Sequence, residues 1–279
     1  MSNVEINGNL TLFADDTTIL WIDKEQQVLQ SKIREDVKKI KEWCDANYLT
    51  FSISKTNIMS FKCNIDAVAL KSDSIKNELI TKFLGITIDS KLNFSSHITS
   101  LARKLSAGCY AIRVVSKNLN HAMARSLYFS IIESNLRYGI AFWGFASNQL
   151  MQMVFVLQKR ALRYLCGLNF RDHCREYFIK EGILTLASIF ILESTTLIHK
   201  KYKSNQNSHR TRYSNELRLP IPRSSLTKKS VIYESKKMYN HLPTSFKSER
   251  CIRRFRSVLK KFLQSKAFYT VDEFYGEKF

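Results

Sequence analysis

The sequence predicts an α+β protein in which a small mixed part, built from a β-hairpin, a helix and short strands, precedes a long all-helical part. Three observations carry the prediction. Apolar residues alternate near the N-terminus and, after Asn93, recur at steps of three and four to the end of the chain. Only 8 Gly and 3 Pro among 279 residues leave few turn-formers for an all-β or low-complexity chain. Apolar residues make up 44%, enough for a core, yet no uninterrupted apolar run is long enough to span a membrane.

Leu10 and Leu12 alternate before Ala14-Asp15-Asp16, and Thr17 to Ile22 is β-prone, so the opening reads as a hairpin with two adjacent aspartates at its connection. Leu29, Ile33, Val37, Ile40 and Cys44 then mark one face of an amphipathic helix whose other face carries Lys32, Glu35, Lys39 and Glu42. Strand-like runs follow at 57–61, 67–71 and 83–89. Ile98, Leu101, Leu105, Cys109 and Ile112 open the helical part with a helix reaching residue 117. Further helices read at 122–138, from Leu150 through Val154, Leu157 and Ala161 to Leu165, and at 186–202, 226–239 and 249–263. Residues 203–225 are polar, basic and interrupted by Pro220 and Pro222, which reads as a linker. The expected division is therefore 1–93 (mixed), 94–202 (helical), 203–225 (linker) and 226–279 (basic and helical). The run 183–198 is the most apolar, but Glu193 and several Ser and Thr argue against a membrane span. The first residues lack the basic and apolar pattern of a secretory leader, so the expected location is intracellular, in nucleus or cytoplasm, and not secreted.

Lys and Arg number 44 against 24 Asp and Glu, a net charge of +20. The excess is concentrated, since residues 199–266 hold 19 Lys and Arg against 3 Glu. Nucleic acid is the expected partner of such a segment, ahead of an anionic membrane surface or a merely solvated basic face. Arg250, Arg253, Arg254, Lys260 and Lys261 share a helix with Ile252, Phe255, Leu259 and Phe262, so one face can pack while the other meets phosphates. Tyr202, Tyr213, Tyr233 and Tyr239 stand among these cations and read either as base-stacking groups or as core. The six cysteines form no CxxC pair, and Cys166, His173 and Cys174 lack zinc-ligand spacing, so the thiols read as reduced and mostly buried.

The chemistry concentrates at Asp15-Asp16. Adjacent carboxylates at a turn repel each other and contribute nothing to folding, and a hard divalent cation relieves the repulsion. Mg²⁺ suits such a pair, because one or two carboxylates plus water and phosphate complete its shell. A plain Asp-rich turn is the other reading. The surroundings decide between them. Leu12-Phe13-Ala14-Asp15-Asp16-Thr17-Thr18-Ile19 resembles the catalytic hairpin of reverse transcriptases in the form found in non-LTR retrotransposons. A helix with Trp43 and Asn47, then Phe51-Ser52-Ile53-Ser54-Lys55-Thr56-Asn57-Ile58, resembles the next sequence block of that family. Phe83-Leu84-Gly85-Ile86-Thr87-Ile88-Asp89, with Leu92-Asn93-Phe94 and His97-Ile98, resembles its primer-grip block and the start of its thumb. Tyr138-Gly139-Ile140, Trp143-Gly144, Gln158-Lys159-Arg160-Ala161 and Gly182-Ile183-Leu184-Thr185-Leu186 resemble the helical extension of arthropod jockey-like elements. The resemblance covers residues 8–203.

That resemblance implies the C-terminal palm and thumb portion of an RNA-directed DNA polymerase, which uses two Mg²⁺ ions on an RNA template and DNA primer duplex. It makes Asp15 the principal metal ligand and Asp16 its partner. Lys55 matches a lysine near the departing pyrophosphate, or else is a surface lysine. Phe83, Leu84 and Gly85 match the turn that supports the primer strand. Arg103, Lys104, Arg113 and Lys117 lie on the first thumb helix, facing duplex phosphates or solvent. The family's third carboxylate comes from a strand well before the hairpin. No Asp precedes Asp15 here, and the fingers are missing too. A truncated chain that does not polymerise alone is therefore expected. The alternative is a non-catalytic nucleic-acid-binding remnant or subunit whose binding ignores Asp15 and Asp16, and a poorly folded, decaying copy is a third possibility.

Overall fold

The structure, a computed structural model, describes residues 4–61, 68–70, 73–204, 217–219, 221 and 230–278. It divides into two compact units, Met1–Leu92 and Asn93–Phe279. Strands are confined to the first, and every regular element described in the second is helical, so the α+β organisation is as the change of period requires.

In the first unit β1 (Asn9–Phe13) and β2 (Asp16–Leu20) pair antiparallel, from Asn9 opposite Leu20 to Phe13 opposite Asp16. Helix α1 (Gln26–Ala46) follows, burying the stripe read from its sequence. Leu29, Ile33 and Val37 join Ile58 and Ile75 in a small core flanked by Trp21, Phe51 and Ile53. β3 (Val68–Leu70) pairs with β4 (Asp73–Ile75), and β5 (Ile80–Phe83) with β6 (Ile86–Asp89), each pair a sheet of its own.

Two strand expectations need correcting. The run 57–61 makes only a single parallel bridge, Ile58 to Asn77, held by Ile58 N–H on the Lys76 carbonyl and Glu78 N–H on the Ile58 carbonyl. No further rung extends it into a strand. The run 83–89 is the second half of a hairpin rather than one strand, because Leu84 (φ 45°) and Gly85 (φ 80°) take left-handed backbone that an extended strand cannot contain. The ends of the run 67–71 lie outside the described residues.

The second unit opens with α2 (Ser95–Asn118). The helix read at 122–138 is α3 (His121–Leu127), a π-helical turn at Tyr128–Glu133 and α4 (Ser134–Arg137) in succession. Then come α5 (Ile140–Trp143), α6 (Asn148–Cys166), α7 (Arg175–Lys180) and α8 (Leu186–Ser204). After a stretch largely outside the described residues, where most of the expected linker and the start of the helix read at 226–239 fall, α9 (Val231–His241), α10 (Thr244–Lys247), α11 (Ile252–Lys266) and α12 (Val271–Gly276) complete the unit. These C-terminal helices share one hydrophobic core with α2–α8.

Every residue from Leu186 to Leu192 is buried, so the first two turns of α8 are enclosed on all sides and read as apolar rather than amphipathic, while Leu197 and Lys200 further along are exposed. No described helix is long and apolar enough to cross a membrane.

The motifs of the helical part hold this core together. Gln158 Nε2 donates to Tyr128 Oη (3.0 Å) and to the Leu184 carbonyl (2.8 Å), while its Oε1 accepts from Leu186 N–H (2.8 Å). The Gln158 and Leu184-Thr185-Leu186 motifs therefore meet in space, with three buried polar groups satisfied by one amide. Trp143 Nε1 donates to the Tyr138 carbonyl (2.8 Å), and a Cβ on Gly144 would lie 2.4 Å from Phe190, so only glycine lets α5 approach α8 this closely. Glu193 on α8 accepts both Arg256 Nη atoms (2.9 and 2.6 Å) and pairs with Arg137, which also grips Glu133 (2.7 Å).

Candidate functional site

The hairpin tip is the two-residue connection Ala14-Asp15, closed by the Phe13–Asp16 pair, so Asp15 lies in the turn and Asp16 opens β2. Both are exposed. Ala14 takes φ 51°, a left-handed conformation that costs a non-glycine residue free energy. Leu84 does the same at the tip of the β5–β6 hairpin, beside exposed Gly85 and half-buried Phe83. The rest of this hairpin is also open to solvent: Leu12 and Leu20 are about half exposed, and Phe13 is 61% exposed.

What orients the hairpin is Asp36, an acid on the buried stripe of α1. Its carboxylate accepts from Asn7 N–H (2.9 Å), Asn7 Nδ2 (2.9 Å), Gly8 N–H (3.0 Å) and Trp21 Nε1 (2.7 Å). Burial opposes ionisation of Asp36, but the donors on Asn7, Trp21 and Gly8 outweigh it and hold the carboxyl below its ordinary range. Asn7–Gly8 leads into β1 and Trp21 leaves β2, so one side chain ties both feet of the hairpin to the helix. A Cβ at Gly8 would sit within 3 Å of Ile19 and Trp21, which fixes glycine at that foot. The sequence signal for this anchor was available: an acid at position 36 stands among Ile33, Val37 and Ile40 on the buried stripe.

Among the described residues no three His, Cys, Asp or Glu gather into a metal-binding group. The hairpin offers its pair of exposed carboxylates, hard oxygen donors of the kind Mg²⁺ takes, and no more. Lys55 ends a 3₁₀ turn (Ile53–Lys55), exposed and outside any ion pair among the described residues.

In the second unit the cations Arg103, Lys104, Arg113 and Lys117 all lie on the exposed side of α2, opposite Ile98, Leu101, Leu105 and Ile112. Cys109 Sγ donates to the Leu157 carbonyl (3.4 Å), and the Arg113 guanidinium lies 5.8 Å over the Tyr164 ring. Residue numbers rise together in these two pairs, so α2 and α6 run in the same direction. Between them lies an open groove of about 800 Å³, lined by Arg103 and Ser106 from α2 and by Gln149, Gln152, Val156 and Arg160 from α6. Its charged lining residues are both arginines. Sequence reasoning did not assign Arg160 to a binding surface, although the spacing of 149, 152, 156 and 160 places these residues on one helix face.

The basic C-terminal helix is α11. Phe255, Leu259 and Leu263 are buried, whereas Arg253, Arg254 and Lys261 are exposed, Lys260 is half-buried and Arg250 is exposed just before the helix. Arg254 approaches Glu249 at 3.6 Å. Tyr239 belongs to the core rather than to a stacking surface: it is 1% exposed, and its hydroxyl meets His199 Nδ1 at 3.0 Å. Tyr233 is half-buried, and the Tyr202 and Tyr213 side chains lie outside the described residues. Cys44, Cys109 and Cys174 are buried, and burial lifts the thiols of Cys109 and Cys166 to about 11. Cys251 departs from the expectation of burial. It is exposed ahead of α11, where the N–H groups of Arg254 and Arg253 lower its thiol pKa. Cys63 lies outside the described residues.

No family model and no solved structure matches the chain. Curated relatives do. It is 22% identical over 230 residues to the probable RNA-directed DNA polymerase from transposon X-element of Drosophila melanogaster, covering 79% of this chain and 24% of that protein. It is 27% identical over 165 residues to the RNA-directed DNA polymerase from mobile element jockey of the same fly, covering 57% of this chain and 18% of that protein. The probable RNA-directed DNA polymerase from transposon BS aligns at 23% identity over 162 residues. The chain thus spans less than a quarter of the length of the curated relatives it matches.

Proposed function

We propose that this chain, a relative of the RNA-directed DNA polymerases of non-LTR mobile elements, supplies the catalytic hairpin and the thumb of such a polymerase. The observation that carries the reading is the Ala14-Asp15-Asp16 tip, two exposed carboxylates on a hairpin anchored at both feet by Asp36. Asp15 and Asp16 would hold Mg²⁺, which when bound lowers the barrier to attack of a primer hydroxyl on a nucleotide phosphate. The strained turn keeps the two carboxylates fixed relative to each other, so little is spent on ordering them. Leu84-Gly85 gives the second hairpin a tight tip with an exposed glycine, where backbone can approach a primer strand closely. Phe83 seats that tip, and Lys55 stands in the same unit as a proton-bearing cation.

Arg103, Lys104, Arg113 and Lys117, with Arg160 across the groove, face the phosphates of a template–primer hybrid. They hold it by backbone and shape rather than by sequence. The cations of α11, Arg250, Arg253, Arg254, Lys260 and Lys261, add a second basic face for RNA or DNA. A two-metal site takes one carboxylate more than this pair, and among the described residues none is gathered beside it. The chain by itself is therefore inactive in this reading, and its setting is intracellular. The second reading, a non-catalytic nucleic-acid-binding subunit, is favoured by the acid-free groove and shares the same surface.

Anisotropy with a labelled RNA·DNA hybrid tests the common ground. Binding should weaken steeply with salt and be unchanged by Asp15→Asn. Binding that ignores salt removes the thumb assignment, and primer extension by the isolated chain overturns its inactivity.

A further inference from the structure

The polar face of α6 leads from the groove to an aromatic side chain that neither the core nor the thumb reading uses. Gln149, Gln152, Val156, Arg160 and Arg163 recur at steps of three and four, so they form one stripe along the helix. At 1.5 Å per residue, the helix end at Gly167 lies about 10 Å beyond Arg160. There the chain turns back through Gly167 (φ 66°), with Leu168 N–H on the Arg163 carbonyl (2.9 Å).

The turn that follows is fixed. Asn169 N–H donates to Asp172 Oδ2 (2.7 Å), and Arg163 places Nε and Nη2 on the Asp172 carbonyl (3.3 and 3.1 Å). From this turn Phe170 projects, 80% exposed, with the Arg163 guanidinium 5.9 Å from its ring centroid. Single exposed apolar residues are ordinary. This one sits on a pinned turn, against a guanidinium, at the end of a cationic stripe. The local sequence is predominantly basic: within 159–181, Lys159, Arg160, Arg163, Arg171, Arg175 and Lys180 stand against Asp172, Glu176 and Glu181. Of these, Asp172 and Arg163 are tied to the turn, Arg175 to Glu273, and Glu181 to Arg125.

We propose that the Phe170 turn is a stacking platform for an unpaired nucleobase. It takes the single strand that continues beyond a hybrid seated in the α2–α6 groove. Arg160, Arg163 and Arg171 lie along the path of its phosphates, and the Phe170 ring receives a base. A ring held by a rigid turn loses little freedom on stacking, and any base offers a π-face, so the platform selects for a single strand and not for a sequence. A charge-free apolar partner is disfavoured, because the cations would have to be desolvated without counter-charge. This inference rests on the groove reading above.

The test compares two labelled probes on the full chain: a blunt RNA·DNA hybrid, and the same hybrid with a single-stranded pyrimidine tail. The tail should tighten binding about tenfold, the scale of one stacked base. Phe170→Ala should erase that gain while leaving blunt-hybrid affinity, its salt slope and the melting temperature unchanged. Phe170→Trp should keep the gain, with its added indole emission quenched by the tailed probe alone. Arg171→Ala should lower the salt slope for the tailed probe by about one. Equal gains in wild type and Phe170→Ala overturn the platform and leave the groove standing. Failure of the wild-type chain to bind either probe overturns both.

Discussion

Among the described residues the first unit gathers a core cluster of only five buried apolar side chains, and the hairpin that carries Asp15 and Asp16 leaves Leu12, Phe13 and Leu20 in solvent. Among the described residues each of its hairpins is a separate two-stranded sheet. The second unit encloses six fully buried large side chains, Trp143, Tyr128, Tyr239, Phe178, Phe255 and Phe274, among a far larger set. Four of its helices are capped by side chains, Asn120, Ser147, Ser230 and Thr270 each accepting the N–H three residues on, while α2 and α11 start without such a cap. Helix α1, after Glu25, likewise lacks one. The second unit thus has a large helical core of its own, while the first carries two-stranded sheets whose edges are unpaired among the described residues, the form in which further strands add to a sheet. In the proposed reading, the unit with the smaller core carries the chemistry and the unit with the larger core carries the grip.

The largest effect expected from this contrast is on autonomous folding. Residues 93–279 alone should melt in a single cooperative transition, and residues 1–92 alone should not, by circular dichroism and calorimetry. Independent cooperative folding of the first unit would erase the contrast.

Next in size is core truncation. Phe178→Ala should destabilise the second unit by about 3–5 kcal/mol. Gln158→Ala, which strands Tyr128 Oη, the Leu184 carbonyl and Leu186 N–H, should cost about 1–3 kcal/mol through unsatisfied groups. Both should leave hydrogen exchange in α1 unchanged.

Asp36→Asn should act on the first unit alone, loosening β1–β2 by about 1.5–3 kcal/mol, the range for hydrogen bonds to a charged group. Its pH dependence has a defined sign. The folded carboxyl titrates lower than the unfolded one, so its stabilisation is complete above the unfolded value of about 3.9 and disappears as pH falls through the folded value. Acid should therefore release the hairpin amides of wild type below about pH 4, and Asp36→Asn should abolish that step.

The smallest effects belong to surface cations. Arg103→Ala and Arg160→Ala should each change stability by less than about 0.5 kcal/mol and lower the salt slope for hybrid binding by about one. A pronounced drop in melting temperature would instead make them structural.

How far the sequence could be read follows the same division. The stripes Leu29-Ile33-Val37-Ile40 and Ile98-Leu101-Leu105-Cys109-Ile112 are long, and the structure buries them as read. Helices α5, α7, α10 and α12 span one turn or so, too short for period to register. The π-helical turn at Tyr128–Glu133 interrupts the α-helical register within one continuous helical stretch, which a pattern of apolar steps does not reveal. The hairpin at Leu84-Gly85 was hidden because Leu84 is a residue that rarely takes positive φ. The place of Asp15-Asp16 at a hairpin tip was legible through its apolar flanks, whereas Asp36 belongs to no motif and only its position on the apolar stripe marks it. Tyr239 was ambiguous for the reason aromatics usually are: helical spacing does not tell core from platform.

The most direct measurement places this chain in a complete polymerase. In the jockey polymerase of Drosophila melanogaster, the aligned span is replaced by this sequence, and primer extension on an RNA template is followed with Mg²⁺. The account predicts that the chimera extends the primer and that Asp15→Asn lowers the rate by about a hundredfold or more, as misplacement at a reacting centre does, without loss of hybrid binding. A chimera that binds hybrid and extends equally well with Asp15→Asn would contradict the assignment of this hairpin to catalysis.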